Sequence, residues 1–296
     1  MQICILGSAA GGGLPQWNCG CRNCNRARAG EIPVRTQSSI AVSGDGATWA
    51  VINASPDIGR QLLMTPALHP KALRHTPIAV VLVTNGDIDH TAGLLTLREK
   101  QPFALMATAE LHKVLDANPI FEALDRSVVA RVPVAVGSSF DILPGVEAEI
   151  FSVPGKVPLY LEGETVETDL EGEFTVGIEF RAGGKRTAYI PGCAAMPAKL
   201  AERLMGADVV LFDGTLWDDD EMINTGLGQK TGRRMGHMPV SGEGGSLEAF
   251  ASLDIPTRVF VHINNSNPIA DPGSPEAAEA RAAGWTVGED GMVITP

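Results

Sequence analysis

The chain lacks any apolar run that approaches the roughly 20 residues needed to cross a bilayer. Residues 1–7 also lack a basic region, and their apolar run is too short for a signal peptide. We therefore expect a cytoplasmic protein with no membrane partner.

Positive charge is scarce as well. The 296 residues include 23 Lys and Arg against 35 Asp and Glu, so the net charge at pH 7 is −12. Such an acidic surface repels phosphate backbones, and the one basic stretch, 228–234, is short. The composition therefore predicts no nucleic-acid partner, while the hydrophobic content of 44% is typical of a soluble globular enzyme.

Cysteine is sparse, but three of the five cysteines lie within six residues: Cys19, Cys21 and Cys24. In a reducing compartment such a cluster indicates a metal site rather than a disulfide framework. The C-x-C-x-x-C spacing lets three thiolates meet one ion, and Gly20 permits the sharp turn. A redox or incidental cluster is the alternative, although a disulfide between residues two apart is strained. We predict a structural Zn²⁺ in the loop 19–24, where a fourth ligand is needed.

Apolar runs and turn signals alternate along the chain. Predicted strands are 2–6, 38–42, 48–53, 79–84, 103–107, 132–136, 146–153, 174–182, 186–190, 209–212, 258–262 and 292–295. Predicted helices are 55–63, 91–100, 109–117, 197–204, 245–253 and 276–283, and a hydrophilic turn is predicted at 169–173. Because the strands run in groups with helices between them, we predict an α/β protein in which two sheets have helices outside, as one domain of residues 1–296.

Side chains with metal-binding chemistry end several of these strands or lie in a glycine-rich loop. They are Asn85, Asp87, Asp89, His90, Asp213, His237 and His262. The ends of strands on one edge of an α/β layer converge, so these distant positions can share a pocket. The alternative is that the acidic residues only cap the helices that follow, which is most serious for Asp89.

The stretch Thr84 to Gly93 resembles the H-x-H-x-D-H-x-x-G signature of the metallo-β-lactamase superfamily, with Asn85 and Asp87 in place of the two leading histidines. The stretch forms a wider pattern with the cysteine cluster and residues 152–156, 236–239 and 261–268. This pattern resembles one branch of the superfamily, the protein B family of pyrroloquinoline quinone (PQQ) biosynthesis. The resemblance covers the chain from Met1 to about Pro296. It implies a metallo-β-lactamase-type αββα four-layer sandwich with the metal site at one edge.

The departures from the superfamily pattern bear on the metals. Two-zinc hydrolases use both leading histidines and a bridging Asp, whereas here Asn85 is a poor ligand and Gly192 stands where that Asp is expected. The remaining histidines and carboxylates suit non-haem Fe²⁺ and O₂ activation. We expect iron ligands among Asp87, Asp89, His90 and His262, with Asp213 and His237 as further ligands or as catalytic groups that move a proton. Similar phosphodiesterases complete a cysteine zinc site with a His, and Asn265 occupies that stretch here as the candidate fourth zinc ligand.

The resemblance implies a function in PQQ biosynthesis. The implied reaction is iron-dependent hydroxylation of the tyrosine in a peptide-derived Glu–Tyr intermediate. Implied partners are that intermediate, or PQQ and its precursor, and other PQQ biosynthesis proteins; a homodimer is left open. One alternative is a carrier or transport-assisting protein for PQQ or its precursor, disfavoured by the open metal-ligand set. The other is a zinc or manganese hydrolase, disfavoured by the missing histidines.

Overall fold

Two seven-stranded sheets form the centre of the computed structural model, which describes residues 1–163, 167–168 and 170–296. In chain order the strands within these ranges are β1 (Gln2–Gly7), β2 (Ser39–Ser43), β3 (Trp49–Ile52), β4 (Ile78–Leu82), β5 (Phe103–Ala107), β6 (Val129–Pro133), β7 (Ser139–Leu143), β8 (Val146–Ser152), β9 (Val176–Ala182), β10 (Lys185–Ile190), β11 (Val209–Asp213), β12 (Thr257–Val261), β13 (Trp285–Val287) and β14 (Val293–Ile294).

The two sheets share one pattern of strand directions. The first has the order β14-β1-β2-β3-β4-β5-β6 and the second β13-β12-β11-β10-β9-β8-β7. Strands β3 to β6 are parallel in the first sheet, as are β10 to β13 in the second, and the other pairs are antiparallel. In the second sheet this arrangement brings the carboxyl ends of β11 and β12 side by side, with Asp213 opposite Val261.

Helices cover the outer face of each sheet. Those in the described ranges are α1 (Arg22–Arg28), α2 (Ile58–Met64), α3 (Ile88–Thr91), α4 (Ala109–Asp116), α5 (Ala198–Leu204), α6 (Glu221–Asn224), α7 (Gly232–Met235), α8 (Ser246–Ala249) and α9 (Pro275–Ala282). None of these helices is long and apolar enough to cross a membrane.

Three apolar clusters hold the four layers together. Between the sheets, Ile5 and Ile52 belong to the same buried cluster as Ile178 and Val259. Outside the first sheet, strand residues pack with α2 and α4, and outside the second sheet with α5, α8 and α9. The continuous apolar runs of β4 and β11 follow from this arrangement, because both faces of each strand are covered. The predicted αββα sandwich is confirmed.

Several predicted elements differ from the observed ones. Strand β6 is three residues earlier than predicted, because its pairing with β5 begins at Val129 opposite Phe103. The predicted helix 91–100 is instead the single turn α3 followed by a 3-10 helix, Ala92–Leu97. The cause lies at Gly93, whose N–H donates to the Ala54 carbonyl at 2.9 Å rather than continuing an α-helix.

Helix α8 is shorter than the predicted 245–253, and α1, α6, α7, β7 and β13 were not predicted. These missed elements are short or lie at a sheet edge, where the periodic signal is weak. The predicted turn at 169–173 includes residue 169, which lies outside the described residues.

Candidate metal centre and active-site cavity

The ends of β4, β11 and β12 open into a cavity of about 480 Å³. Six of the seven strand-end and loop residues singled out in the sequence line this cavity: Asn85, Asp87, Asp89, His90, His237 and His262. The seventh, Asp213, lies behind them and contacts His237, with Oδ2 2.7 Å from Nδ1. The convergence of strand ends therefore places the whole set in one region.

Asp89, His90 and His262 form a group of ligand atoms that all lie within 4.8 Å of one another. The Asp89 Oδ2 atom is 3.1 Å from His262 Nε2 and 3.9 Å from His90 Nε2. Two imidazoles and one carboxylate at these separations could hold one metal ion.

Asn85 fixes the orientation of His90. Its Oδ1 lies 2.5 Å from His90 Nδ1 and also accepts the Asp87 N–H at 2.9 Å. The amide oxygen only accepts, so His90 carries its proton on Nδ1. The buried Nε2 has no hydrogen-bond partner among the described residues. A buried imidazole nitrogen without a protein partner, beside a carboxylate, has the environment of a metal ligand.

Thr215 connects the second half of the site. Its hydroxyl lies 2.6 Å from Asp213 Oδ1 and 2.8 Å from His262 Nδ1. A carboxylate only accepts, so the hydroxyl donates to Asp213 and accepts the Nδ1 proton of His262. Nε2 of His262 is then the atom that faces Asp89. His262 itself adopts a left-handed backbone with φ of 55°, a conformation that is uncommon for non-glycine residues and is found more often at functional sites.

His237 lies beside the same group. Its Nδ1 is 2.7 Å from Asp213 Oδ2, and its ring stacks on that of His262 with centroids 5.1 Å apart. Asp213, His237 and His262 form a second group with ligand atoms within 4.8 Å. Gly192 borders the imidazole, and a Cβ at that position would lie in van der Waals contact with His237 Cε1, at 3.4 Å. Gly192 stands where the superfamily has its bridging Asp, and His237 therefore borders the space beside it.

The acidic groups of the centre stay ionised. Burial raises the pKa of Asp89, but the charge of His90 and the hydrogen bond from His262 outweigh this effect and hold the pKa below its usual range. Burial also raises the pKa of Asp213, and the charge and hydrogen bond of His237 outweigh it in the same direction. Both carboxylates are therefore available as negative charges that offset a cation.

Asp87 has a different environment from Asp89. Its Oδ1 accepts the Leu159 N–H at 3.0 Å, and it belongs to neither close group of ligand atoms in the described chain. The nearby Tyr160 hydroxyl donates to the Gly86 carbonyl at 2.7 Å. These two contacts join the loop after β4 to residues 159–160. That Asp87 binds the metal directly stays a prediction.

The three predicted zinc thiols lie together, with ligand atoms within 4.8 Å. Cys21 caps α1, since its Sγ accepts the Cys24 N–H. The side-chain amide of Asn265 is the fourth group at the cluster, with Nδ2 3.2 to 3.5 Å from the three sulfurs. With this orientation Asn265 is a hydrogen-bond donor, and a ligand role requires its amide to turn by 180° so that Oδ1 faces the ion.

Sequence reasoning missed two features of the cavity. Thr215 was not singled out, although it lies two residues after the strand-ending Asp213 and bonds three groups of the centre. Lys156, Glu162 and Lys230 also line the cavity. The sequence marks residues 152–156 and the basic stretch 228–234, but it does not place either of them at the cavity, because their positions depend on contacts between distant segments.

Comparison with known proteins agrees with this architecture. A family model for the β-lactamase superfamily domain matches residues 48–263. Coenzyme PQQ synthesis protein B of Ruegeria pomeroyi is 57% identical over 294 residues, covering 99% of this chain and 99% of the relative. The crystal structure of Zn²⁺-bound PqqB from Methylobacterium extorquens is 52% identical, with a TM-score of 0.98 and complete coverage of both chains.

A diphosphatase from the PhnP family is more distant, at 21% identity and a TM-score of 0.68 over 99% of this chain and 96% of its own. That likeness concerns the fold alone. The 57% identity with the Ruegeria pomeroyi protein, over 99% of both chains, shows the family as well as the fold. The chain therefore belongs to the PqqB family, within the β-lactamase superfamily.

Proposed function

We propose that this protein acts in PQQ biosynthesis and hydroxylates the tyrosine of a Glu–Tyr intermediate, with one iron ion held by Asp89, His90 and His262. The observation that supports this is the convergence of two imidazole Nε2 atoms and one carboxylate oxygen at the wall of a cavity. When bound at such a set, Fe²⁺ supplies O₂ activation. We also propose a cytoplasmic location, and the other PQQ biosynthesis proteins as partners.

The donor atoms fit this metal. Both imidazoles have their Nδ1 proton engaged, His90 on Asn85 and His262 on Thr215, so each Nε2 offers a lone pair. The buried Nε2 of His90 has no protein partner in the described chain, which a bound cation would remedy. Three protein ligands leave coordination positions open, as an oxygenase needs and a closed structural site does not.

The groups around this set would position the phenol and move protons. His237 donates from Nδ1 to Asp213, which leaves Nε2 as the atom that accepts a proton. The cavity of about 480 Å³ lies within the size range of pockets that bind small molecules such as a dipeptide. In the net reaction, one oxygen atom of O₂ is inserted into the ring C–H bond beside the phenol hydroxyl, which gives the second hydroxyl of the catechol. The other leaves as water, with two electrons and two protons from a two-electron reductant.

We further propose that Cys19, Cys21 and Cys24 hold a structural Zn²⁺, with the Asn265 amide as the candidate fourth ligand. Burial raises the pKa of the Cys24 thiol to about 12, so this group becomes a thiolate only when a cation offsets its charge. The relative solved from Methylobacterium extorquens is a zinc-bound protein. A zinc at this cluster would join the loop 19–24 to the segment that carries Asn265.

The experiment is an assay of the reaction on metal-defined protein. Protein produced under iron-replete, zinc-poor conditions is analysed for metals and then given O₂, a reductant and a Glu–Tyr substrate. We expect oxygen uptake matched by catechol formation. His90→Ala and His262→Ala should each lose iron and catechol formation together.

Two outcomes would contradict the proposal. If both variants keep full iron and full catechol formation, Asp89, His90 and His262 are not the centre. If wild-type protein with one iron per chain binds the substrate without oxygen uptake, hydroxylation is the wrong reaction, and a carrier role is then the better explanation.

A further inference from the structure

A second charged cluster lies at the same cavity, formed by Lys156, Lys230, Arg234 and Glu162. The carboxylate of Glu162 receives three cations: Lys156 Nζ at 2.9 Å, Lys230 Nζ at 3.4 Å and Arg234 Nη1 at 3.5 Å. Lys156, Lys230 and Glu162 line the cavity. Within the described ranges, these three cations have no ion pair to a second carboxylate. The cluster therefore has an excess of two positive charges, in a chain whose net charge is −12.

The position of Lys156 is fixed by the fold. Gly236, in a left-handed conformation with φ of 90°, packs against the Lys156 stem, and a Cβ there would lie 3.3 Å from Lys156 Cγ. The Lys156 carbonyl accepts the Thr175 hydroxyl at 2.9 Å. Gly236 directly precedes His237, so the cationic cluster and the metal centre share one loop.

The centre of this cluster is more buried than an ordinary surface ion pair. The side chains of Lys156 and Glu162 are only 12% and 10% exposed, whereas those of Lys230 and Arg234 are 41% and 39% exposed. Nη1 of Arg234 is buried and has no hydrogen-bond partner among the described residues. Charges that are partly removed from water interact more strongly with an incoming anion than surface charges do, because solvent screens them less.

We propose that Lys156, Lys230 and Arg234 form an anion subsite that binds a carboxylate of the substrate while the phenol reaches the metal centre. The identity of the substrate rests on the proposed function, since a Glu–Tyr compound has carboxylates and a phenol. Glu162 holds the three cations together without neutralising them. The subsite selects aromatic amino-acid derivatives that bear carboxylates over neutral phenols, through charge-assisted hydrogen bonds.

Binding without turnover tests this inference separately from the hydroxylase activity. Isothermal titration under anaerobic conditions, without reductant, compares two probes on the metal-loaded protein: L-glutamyl-L-tyrosine and the neutral N-acetyl-L-tyrosinamide. Lys230→Met and Lys156→Met remove a charge but keep an apolar stem. We expect each to weaken dipeptide binding about tenfold, as for loss of one hydrogen bond to a charged group, and to leave the affinity for the neutral probe unchanged.

Two further variants make the result specific. Lys230→Arg keeps the charge and should keep dipeptide affinity within a few-fold of wild type. Lys113→Met removes a lysine on α4 that pairs with Glu110 and does not line the cavity. It should leave the affinity for both probes unchanged. Melting temperature and metal content, measured for every variant, identify any general loss of structure.

The outcomes separate the two proposals. Wild-type protein that binds both probes equally or does not bind the dipeptide overturns the subsite, as does unchanged dipeptide affinity in folded Lys156→Met and Lys230→Met. The cluster could instead serve only to hold residue 162 against α7. The lysine variants would then melt at a lower temperature but keep the wild-type preference between the two probes, and this result would also overturn the subsite. If carboxylate-dependent binding holds but no catechol forms in the oxygen assay, the subsite stands and the hydroxylase proposal fails.

Discussion

The Oδ1 atom of Asn85 lies 2.5 Å from the Nδ1 atom of His90. The residue that replaces the first histidine of the superfamily signature thus orients a histidine that the signature keeps. Loss of a metal ligand and gain of a hydrogen-bond acceptor occur at the same position.

Asn85→Ala should weaken iron binding about 10- to 100-fold, the usual effect of removing a hydrogen-bond partner of a metal-ligating His. Without the acceptor, the His90 ring can rotate or hold its proton on Nε2. A chelator competition titration measures the affinity. Asn85→Asp keeps an acceptor oxygen and should bind iron more tightly than Asn85→Ala. Asn264→Ala, at a cavity residue bonded to Ser266 and not to the histidines, is the matched control. Equal affinity in Asn85→Ala and wild type would show that His90 does not depend on this contact.

Cys21→Ser should lower zinc content and melting temperature together. Cys21 contributes one sulfur to the cluster and also caps α1, and structural metal binding contributes to folding. Serine can still cap the helix, so the cap alone does not explain a loss of stability. Cys4→Ser, at a buried cysteine outside the cluster, is the comparison for loss of a thiol. Unchanged zinc stoichiometry and melting temperature in Cys21→Ser would remove the zinc proposal.

Local sequence signals predicted most of the layers. Continuous apolar runs marked β4 and β11 because both faces of these strands are buried. The pattern failed where a distant contact decides the backbone, as at Gly93, which bonds to Ala54 instead of extending a helix. That residues 1–296 form one domain stays a prediction.

The strand-end residues of the site were predictable for a similar reason. Asp213 and His262 lie at the ends of adjacent parallel strands, so topology alone brings them together. The roles of Asn85 and Thr215 were not predictable, because an amide or hydroxyl gains its role from the imidazole that it meets in space. The cationic cluster at Glu162 is a further case, since Lys230 lies 68 residues from Glu162 along the chain.

Glu221 should make stability depend on pH. Burial raises its pKa from the ordinary 4.5 to about 7, although Ser266 and the Trp217 N–H donate to the carboxyl group. Between pH 4.5 and 7 the folded chain therefore binds more protons at this group than the unfolded chain, and the free energy of unfolding falls as pH rises. The expected loss is on the order of 3 kcal/mol, reached above pH 7.

Glu221→Gln tests this dependence. Its amide can still accept from the Trp217 N–H but has no charge, so the fall in stability between pH 5 and pH 8 should shrink relative to wild type. Urea denaturation at the two pH values gives the difference for each protein. A difference as large in Glu221→Gln as in wild type would assign the pH dependence to other groups.

Hydrolysis of bis(p-nitrophenyl)phosphate with added zinc should be negligible. Asn85 bonds to His90 instead of offering an imidazole, and Gly192 offers no bridging carboxylate. The net charge of −12 also disfavours phosphodiester substrates such as RNA. The rate of p-nitrophenol release by the wild-type protein is compared with that of His90→Ala under the same conditions. A faster rate for the wild type would show that the departures from the superfamily signature do not abolish hydrolysis.

His237 and His262 should respond differently to replacement by alanine. His262 ends a strand, holds a left-handed backbone and directs Nε2 at Asp89, so His262→Ala should lose iron and hydroxylation together. His237 lies in a loop and bonds to Asp213, so His237→Ala should keep most of the iron and lose rate. Metal analysis and the rate of catechol formation at saturating substrate separate the two results. Loss of iron in His237→Ala as complete as in His262→Ala would instead make His237 a ligand, because a group that only moves protons is not needed to retain the ion.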